Sequence, residues 1–326
     1  MTTDERFLVT GSAGCLGAWV VRALLDEDVP VVALDLDDDP RRMRLLATEE
    51  ELGKVDRVKG DVTDLALIDD LVVGRRITHI VHCAALQVPF VRARPALGSH
   101  VNVTGTIAIM EAAAAHPEQV RGVAYASAGG VFGLPAQYPD GLVRDDSPQA
   151  PATLYGVFKQ ANEGTARIYF NERGLSSVGL RPWVVYGPGR DQGMTSGTTV
   201  AMLAAAAGVP YRIPYGGEAL FQFAPDVARA FVAAARADLT GANAYNLGGE
   251  TAPVARVVDV IEEALPRSRG LITHDDVPLP AVARVDASGF GRFVDPAPFT
   301  GLPEGVGRSI ELFTDLLRRG LVRAPA

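Results

Sequence analysis

Phe7-Leu8-Val9-Thr10, followed directly by Gly11-Ser12-Ala13-Gly14-Cys15-Leu16-Gly17, is the stretch of the chain that decides its fold. A short, largely apolar run leads into a turn with three glycines, and residues 18–25 then have the composition of a helix. Glycines at this spacing let the backbone turn tightly and approach a pyrophosphate, while the helix N-terminus offers free N–H groups to the anion. The stretch therefore predicts a strand, a phosphate-binding turn and a helix.

The next predicted strand, Val31–Asp35, ends in an acidic residue 18 positions after Gly17. An acid at this distance is where a dinucleotide-binding unit holds a ribose hydroxyl. Residues 37–39 are all aspartate, and their charges would repel a 2′-phosphate. Arg41 and Arg42 follow and are predicted to lie on a solvated helix face. The sequence therefore predicts that the cofactor is NAD rather than NADP.

Further strands are predicted at 55–60, 78–83, 121–125 and 177–181, and helices are predicted between them. Strands that alternate with helices at this spacing indicate an α/β fold with a doubly wound parallel (Rossmann-type) sheet, whose ligands bind at the carboxyl ends of the strands. The predicted dinucleotide-binding domain comprises residues 1–183 plus about 224–250. A smaller, irregular C-terminal substrate domain is predicted from residues 184–223 plus 251–326.

A second informative stretch is Thr153-Leu154-Tyr155-Gly156-Val157-Phe158-Lys159, because it places a phenol and an ammonium group four residues apart. On a helix these two side chains share a face. Apolar residues recur at helical spacing and predict that the helix packs along the side they form. That apolar stripe comprises Leu154, Val157, Phe158, Ala161, Ile168 and Tyr169.

Lysine is scarce in this chain, where Lys54, Lys59 and Lys159 are the only three among 31 basic residues. A lysine beside a phenol can lower its pKa from about 10 toward 7, which needs about 4 kcal/mol. One charge at about 4 Å with an effective dielectric near 20 supplies that amount. Tyr155 and Lys159 are therefore a candidate proton-transfer pair, and the alternative is an ordinary surface helix with a chance spacing.

The overall composition narrows the class of partner. A net charge of -8 over 326 residues argues against nucleic acid or an anionic membrane, and leaves a small-molecule substrate. Cys15 and Cys83 lack a metal-ligand or disulfide spacing, and no metal site is predicted, since His79 and His82 are interpreted as structural. The sequence has no secretory leader and no apolar run of the ~18 residues that span a bilayer, so a cytoplasmic protein is expected.

Several motifs together give the chain a family resemblance. They are Thr10-Gly11-x-x-Gly14-x-x-Gly17, Asp35, Asp61-Val62, His82-Cys83-Ala84-Ala85, Asn102, Tyr155-x-x-x-Lys159, and Leu180-Arg181-Pro182 leading to Tyr186-Gly187-Pro188-Gly189. Over nearly its whole length the chain resembles the extended short-chain dehydrogenase/reductases, the family of NAD-dependent sugar epimerases and dehydratases. The order and spacing of these motifs are specific to that family.

The resemblance implies roles for named residues. Lys159 would hold the nicotinamide ribose and lower the pKa of Tyr155, which would exchange a proton with a substrate oxygen while hydride passes to or from the nicotinamide. The cofactor contacts that it implies are Gly11, Gly14, Cys15, Leu16, Gly17, Asp35, Leu36, Asp61, Val62, Cys83, Ala84, Ala85, Asn102, Tyr155, Lys159, Pro182 and Val185. The substrate-side residues are Gln87, Ser127, Trp183, Arg190 and Gln222.

Three positions depart from the family pattern. Ala128 stands where the family usually has a Ser or Thr that orients the substrate oxygen, and Ser127 is the candidate replacement, although alternation along a strand points it to the other face. Val184 and Glu218–Phe223 stand where nucleotide-sugar epimerases commonly carry an Asn and an Arg for the nucleotide diphosphate. Together the last two make a nucleoside-diphosphate sugar a poorer match.

We interpret the chain as an NAD-dependent oxidoreductase of the sugar epimerase/dehydrogenase type, acting at a secondary alcohol or ketone of a sugar, sugar acid or similar polar molecule. Two alternatives stay open: a nucleotide-sugar 4-epimerase resembling UDP-glucose 4-epimerase, and a catalytically silent NAD-binding regulatory protein. Whether hydride returns to the same molecule or leaves with NADH is also open. The family resemblance implies a homodimer through the helices near 98–115 and 153–173.

Overall fold

The structure is a computed structural model that describes residues 4–292 and 299–325. Its strands are β1 (Phe7–Thr10), β2 (Val31–Asp35), β3 (Asp56–Lys59), β4 (His79–His82), β5 (Gly122–Ala126), β6 (Leu142–Val143), β7 (Ser177–Arg181), β8 (Val184–Tyr186), β9 (Tyr211–Ile213), β10 (Glu218–Phe223), β11 (Ala242–Asn246), β12 (Glu250–Pro253), β13 (Ile272–His274) and β14 (Arg284–Val285). Its α-helices are α1 (Cys15–Asp26), α2 (Glu49–Leu52), α3 (Leu65–Gly74), α4 (Val88–Ala93), α5 (Pro95–Ser99), α6 (Gly105–Ala115), α7 (Leu154–Arg173), α8 (Gly197–Ala207), α9 (Ala224–Arg236), α10 (Val254–Ala264) and α11 (Leu302–Arg318).

Seven parallel strands form the central sheet in the order β11-β7-β5-β4-β1-β2-β3. Phe7 of β1 pairs with Val31 of β2 on one side and with His79 of β4 on the other. The strand order reverses its direction of growth beside β1, so the carboxyl ends of β1 and β4 flank a crevice of the kind that binds ligands in such sheets. The predicted doubly wound parallel sheet is confirmed.

Helices cover both faces of this sheet because alternate strand residues point to opposite sides. Phe7 and Val9 pack with α1 and α9 in one apolar cluster, while Leu8 and Ile80 pack with α3 and α6 in another. All four side chains have no exposed surface. Strands that are buried on both faces read as continuous apolar runs, which is why the sequence predicted them.

A second, smaller layer is built by later parts of the chain. Strands β12, β10 and β8 form a three-stranded sheet, in which β10 pairs antiparallel with β12 and parallel with β8. Helices α8, α10 and α11 share one apolar cluster with this sheet, whereas α9 and β11 belong to the central sheet and its core. Within the described residues, no helix is long and apolar enough to cross a membrane.

Two local predictions about helices need correction. The helix predicted from about 98 to 115 is interrupted by a π-helical turn at His100–Thr104, which carries Asn102. In α7 the predicted apolar stripe is not the packed side, since Leu154, Val157 and Ile168 are exposed. Its buried residues are instead Gly156, Lys159, Asn162 and Ala166. Spacing defined the stripe, but it gave no information on which side faces the sheet.

Candidate active site

A cradle for a dinucleotide lies where β1, β2 and β4 end. Gly11 follows β1 with a φ of 68°, and a Cβ there would lie 2.6 Å from the backbone nitrogen of Ala84, just after β4. A Cβ at Gly17 would lie 2.1 Å from the carbonyl oxygen of Gly11. Both positions therefore require glycine, because the backbone of the turn packs directly against the neighbouring strand end and helix.

Helix α1 begins at this turn and directs its N-terminus toward the cradle. Gly14 caps the helix without a side-chain hydrogen bond, and within the described residues the N–H groups of Cys15, Leu16 and Gly17 donate to no backbone acceptor. Free N–H groups at a helix N-terminus bind anions such as a pyrophosphate. The residues of the cradle therefore fit a dinucleotide.

The ribose end of the cradle is acidic. Asp35 accepts hydrogen bonds from the backbone N–H of Ala13 at 2.9 Å and of Asp37 at 3.2 Å, so its carboxylate is held against the glycine turn. A cavity of about 330 Å³ adjoins it. The charged residues that line this cavity are Asp35, Asp37, Asp38, Asp39, Arg57 and Lys59. This excess of carboxylates favours a free ribose hydroxyl over a 2′-phosphate.

Helix α7 presents Tyr155 and Lys159 from its first two turns. Thr153 caps the helix by accepting a hydrogen bond from Gly156 N at 3.1 Å. The Nζ of Lys159 is buried, donates to the carbonyl oxygen of Ala126 at 2.5 Å, and lies 5.7 Å from the centre of the Tyr155 ring. Burial lowers the pKa of Lys159 to about 8, and no carboxylate within the described residues forms an ion pair with it. The pair therefore lies together, as predicted.

The electrostatic prediction for this pair needs correction. Burial raises the pKa of Tyr155 to about 12, and the charge that opposes this shift belongs to Arg190, not to Lys159. Desolvation of the phenolate outweighs the nearby cation, since burial disfavours the charged form of a tyrosine. The sequence showed the spacing of Tyr155 and Lys159 but contained no sign of how deeply the phenol is buried.

Arg190 lies on the substrate side of Tyr155. Its Nη1 donates to Oε1 of Gln87 and its Nη2 to Oγ1 of Thr195, each at 3.2 Å, while its buried Nε has no hydrogen-bond partner among the residues that the structure describes. Trp183 is half-buried, and a Cβ at Gly129 would lie 2.5 Å from its indole ring. The structure therefore places Gln87 on Arg190, whose charge acts on Tyr155, while Trp183 and Tyr155 lie beside the neighbouring residues Gly129 and Gly130.

Ser127, the candidate replacement for the hydroxyl that is missing at Ala128, has a buried structural partner. Ser127 is buried, and its Oγ donates to Oε1 of Glu163 at 2.5 Å. Glu163 also forms a two-pronged ion pair with Arg181 at 2.8 and 2.7 Å. The hydroxyl proton is committed to this buried pair, which argues against a role of Ser127 in catalysis or substrate binding, and that role stays a prediction.

Two other predicted ligand contacts have structural partners instead. Gln222 accepts from Trp183 N at 2.7 Å and donates to the carbonyls of Leu247 and Gly248 at 2.8 and 2.9 Å, and it is 1% exposed. These bonds join β8, β10 and the residues after β11 and argue against substrate binding by Gln222, which stays a prediction. Asn102 similarly pairs both amide atoms with the backbone of Leu86 at 2.7 and 2.9 Å, and it positions that loop.

A loop after β8 closes over the N-terminus of α1. We call residues 187–191 the strap. Trp19 Nε1 on α1 donates to Pro188 O at 2.8 Å, and Arg42 donates to Gly189 O at 3.1 Å, to Ala13 O at 2.8 Å and to Asp191 at 2.7 Å. The Arg42 side chain is 13% exposed, so the prediction that it lies on a solvated face is wrong.

The other predicted cofactor residues line the same crevice or its edges. Cys83, Ala84 and Ala85 follow β4 beside Gly11, and Val62 packs against α6 while Asp61 is exposed. Leu36, after β2, is 67% exposed, Pro182 follows β7, and Val185 packs in the cluster that contacts Cys15 and Leu16. Their contacts with a cofactor stay predictions. The described residues contain no group of His, Cys, Asp or Glu that would hold a metal ion.

The sequence prediction missed residues that surround the reactive pair. The hydroxyl of Thr195 accepts a hydrogen bond from Arg190, and the carboxylate of Glu163 accepts one from Arg181. The indole of Trp19 donates to Pro188 O in the strap. Glu163 carried a usable signal, because it lies four residues after Lys159 on the same helix face. Thr195 and Trp19 carried none, because their partners are distant in sequence or lie in an irregular loop.

Comparison with known proteins agrees with this geometry. A family model described as the NAD dependent epimerase/dehydratase family matches residues 7–248. UDP-glucose 4-epimerase of Mycolicibacterium smegmatis is 31% identical over 320 residues, which is 94% of this chain and 98% of that protein. UDP-glucuronate 4-epimerase 3 of Arabidopsis thaliana is 35% identical over 186 residues, 56% of this chain and 42% of that protein. The chain thus spans less than half the length of the Arabidopsis relatives that it matches.

Solved structures give the same picture at the level of the fold. The UDP-glucose 4-epimerase of Thermus thermophilus, in complex with NAD, matches with a TM-score of 0.78 at 26% identity. The match covers 98% of this chain and 100% of the other. The crevice beside β1 and the helix that carries Tyr155 therefore belong to a fold whose solved example holds NAD.

Proposed function

Because this chain belongs to the NAD dependent epimerase/dehydratase family, we propose that it transfers hydride at a secondary alcohol or ketone carbon of a sugar, sugar acid or similar polar molecule. An NAD-dependent enzyme fits this family and the adjacent side chains of Tyr155 and Lys159 better than a catalytically silent regulator does. The observation that carries the proposal is the position of Tyr155. Its phenol lies beside the buried Lys159 and half-buried Arg190, next to the glycine cradle.

The chain's own residues account for the proton and for the orientation of the reactants. Bound NAD supplies the hydride acceptor or donor. Tyr155 takes the proton from the substrate hydroxyl when the alcohol is oxidised, and returns it when the ketone is reduced. Arg190 is the charge that favours the phenolate which this requires, and it only partly offsets the burial that raises the pKa of Tyr155 to about 12.

Each part of the cofactor has candidate partners in the crevice. The free N–H groups at the start of α1 would hold the pyrophosphate, and Asp35 the adenosine ribose. Lys159 uses one of its three donors on Ala126 O and has the others for the nicotinamide ribose. The strap covers the start of α1, where Trp19 and Arg42 fasten it and thereby exclude water from the pyrophosphate.

The test is a pair of variants on α7. Tyr155→Phe is expected to abolish turnover and leave NAD binding nearly intact, because it removes the proton-transfer group alone. Lys159→Met is expected to damage both, since it removes a ribose contact and a cation. Fluorescence titration of NAD and stopped assays of sugar conversion measure the two effects separately. Near-normal turnover by Tyr155→Phe would remove Tyr155 from the mechanism.

The same assays separate an epimerase from a dehydrogenase. An epimerase keeps NAD bound and returns the hydride to the same molecule, so its purified form would carry NAD and accumulate no NADH. A dehydrogenase would reduce added NAD with a candidate sugar. Measuring bound NAD in the purified protein, and absorbance at the NADH maximum during turnover, decides between these outcomes. The relatives' names favour an epimerase.

A second candidate function is a nucleotide-sugar 4-epimerase, which the names of both relatives favour. The residues of this chain argue against it. Val184 and Ala219 are buried and apolar where the family usually places polar groups for the nucleotide, and Arg212 is 71% exposed and paired with Asp275. A buried diphosphate needs matched donors, because desolvating each charge costs several kcal/mol. Calorimetry with UDP, dTDP and GDP tests this, and micromolar binding would restore the nucleotide-sugar hypothesis.

We also propose that the chain is organised in two domains. Residues 1–183 plus about 224–250 would form the dinucleotide-binding domain, and 184–223 plus 251–326 the substrate domain. Separate apolar clusters support this division, since α9 and β11 pack with the central sheet and α8, α10 and α11 with the smaller one.

A cytoplasmic location is proposed as well, and the free thiols Cys15 and Cys83 support it.

We propose that the enzyme is a homodimer through the helices near 98–115 and 153–173. The exposed apolar stripe on α7 supports this, because Leu154, Val157 and Ile168 are 49%, 41% and 46% exposed in a single chain. A second copy of the same face would cover them. Sedimentation of the wild type and of Val157→Glu tests the proposal, and an unchanged mass in the variant would contradict it.

A further inference from the structure

Arg190 is exceptional among the arginines of this chain. Within residues 4–292 and 299–325, it is the one arginine that is not exposed and yet has no carboxylate oxygen within 4.0 Å. The other arginines that are shielded from solvent have such partners, as Arg42 has Asp191, Arg181 has Glu163 and Arg236 has Glu5. A shielded guanidinium without a counter-charge is costly, so a ligand is expected to supply that charge.

The immediate neighbours of Arg190 orient it without neutralising it. Gln87 and Thr195 each accept one hydrogen bond through a neutral oxygen at 3.2 Å. Two of the five N–H groups are therefore used, and the edge that includes Nε is left without a partner. Asp191, the next residue, is paired with Arg42 at 2.7 Å and does not approach Arg190 within 4.0 Å.

At this point the structure leaves a substrate one positive charge to bind, that of Arg190. Arg42 and Arg212 are neutralised by Asp191 and Asp275, and Lys159 donates to Ala126 O and is assigned to the nicotinamide ribose. A planar guanidinium matches a carboxylate through two parallel hydrogen bonds. A phosphate or diphosphate carries more charge and needs more donors than one guanidinium provides. The observations therefore favour a carboxylate beside Tyr155.

We propose that Arg190 binds a carboxylate of the substrate, so that the enzyme acts on sugar acids in preference to the corresponding neutral sugars. This inference rests on the proposed function and narrows its substrate class. The carboxylate neutralises Arg190 while the substrate hydroxyl faces Tyr155, and Gln87 and Thr195 hold the guanidinium in place. The same anion site is open to a second source, the pyrophosphate of the dinucleotide, and the experiment separates the two.

The experiment uses NAD-loaded enzyme and matched pairs of probes that differ in a carboxylate: D-glucuronate and D-glucose, D-galacturonate and D-galactose, and UDP-glucuronate and UDP-glucose. Binding is measured by calorimetry in the Tyr155→Phe background, where no turnover interferes. Hydride transfer is measured separately in the enzyme with Tyr155 intact. The variants are Arg190→Gln and Arg190→Lys, and the control is Arg92→Gln, which removes an exposed and unpaired arginine of α4.

The expected result is that at least one acid binds about tenfold more tightly than its neutral partner, and that Arg190→Gln weakens that acid by about 10- to 100-fold while the neutral partner is unchanged. Arg190→Lys is expected to restore part of the loss, because the charge stays but the fork is lost. Arg92→Gln is expected to match the wild type. NAD affinity is expected to be unchanged in all variants.

Three results would overturn the inference: equal binding of acids and neutral sugars, no binding of any acidic probe, or a loss of NAD affinity in Arg190→Gln. The last would assign the guanidinium to the pyrophosphate of the dinucleotide. Failure of the proposed function looks different. Acids would then bind through Arg190 in the Tyr155→Phe background, while the enzyme with Tyr155 intact would transfer no hydride.

Discussion

Replacing Glu163 with glutamine tests how the fold holds the reactive helix. Glu163 lies one helical turn after Lys159, and its carboxylate receives two hydrogen bonds from Arg181 of β7, at 2.8 and 2.7 Å. Its side chain is 9% exposed and that of Arg181 4%. Ser127 and Gln149 donate to the same carboxylate. Glutamine keeps the shape of the side chain but removes the charge that Arg181 requires.

The magnitude follows from burial. Removing one member of a buried ion pair leaves an uncompensated charge, which costs about 3–5 kcal/mol of stability. Near its midpoint a chain of 326 residues loses about 0.7 kcal/mol of stability per kelvin, so the midpoint is expected to fall by about 4 to 7 °C. Turnover is expected to fall as well, because α7 loses its tie to β7 and Lys159 is displaced from Ala126.

The assay compares thermal and urea unfolding of Glu163→Gln with those of Glu263→Gln. Glu263 is a matched control, because it pairs with Arg256 at 2.7 Å but is 60% exposed. Its loss is expected to cost far less stability than the loss of Glu163, since exposed pairs contribute little. Replacing Glu163 and Arg181 together with leucine and methionine is expected to recover much of the stability. Equal losses in the two glutamine variants would refute the reasoning.

Three further predictions concern the cofactor and pH. NAD is expected to bind at least about tenfold more tightly than NADP because of Asp35 and its acidic neighbours, and equal affinities in a titration would contradict this. Arg42→Gln is expected to release NAD faster, measured as NAD retained after gel filtration, because the strap loses its main tie; unchanged retention would count against that role. Burial, with a smaller contribution from Lys159, lowers the pKa of His82 to about 3 from its usual 6.5, so the unfolded state binds the extra proton. Stability should therefore fall by up to about 1.4 kcal/mol per pH unit below pH 6.5, and the fall should be smaller in His82→Gln.

The acid prediction for His82 depends on its tautomer, which the hydrogen bonds define. Thr106 donates its hydroxyl proton to Asn102 O at 2.9 Å, so it accepts from Nε2 of His82 at 3.1 Å. Nδ1 is then the acceptor for the hydroxyl of Thr10 at 2.7 Å. Both nitrogens of the neutral ring are satisfied, and a second ring proton on Nδ1 would require the Thr10 hydroxyl to accept where it now donates. The structural interpretation of His82 in the sequence agrees with these contacts.

The central sheet was predictable because its strands are buried on both faces. Runs such as Phe7–Thr10 and Val31–Asp35 are short, apolar and bounded by glycine or acidic turns, so local composition was enough. The sheet of β8, β10 and β12 was not predicted, because local composition does not indicate which strands pair, and β10 joins β12 antiparallel and β8 parallel. The π-helical turn at His100–Thr104 was missed for a similar reason, since Asn102 pairs with Leu86, 16 residues earlier.

The site was predictable where spacing determines chemistry and unpredictable where burial does. The glycine turn, Asp35 and the pair of Tyr155 and Lys159 follow from spacing alone. The exposed side of α7 was assigned wrongly, because a hydrophobic period shows which residues share a helix face but not which part of the protein that face contacts. The shift of the Tyr155 pKa was predicted with the wrong sign, because desolvation depends on the complete packing around the phenol.

One ion pair of the strap, between Asp191 and Arg42, affects both the start of α1 and Arg190. Asp191 is the acid next to Arg190 in sequence, yet it pairs with Arg42, and the same guanidinium also binds Ala13 O in the glycine turn. The contact that fastens the strap over the start of α1 therefore removes the nearest carboxylate from Arg190. Arg190 is then left with the neutral partners Gln87 and Thr195. Closure over the start of α1 and the lack of a carboxylate partner for Arg190 among the described residues are thus consequences of one set of contacts.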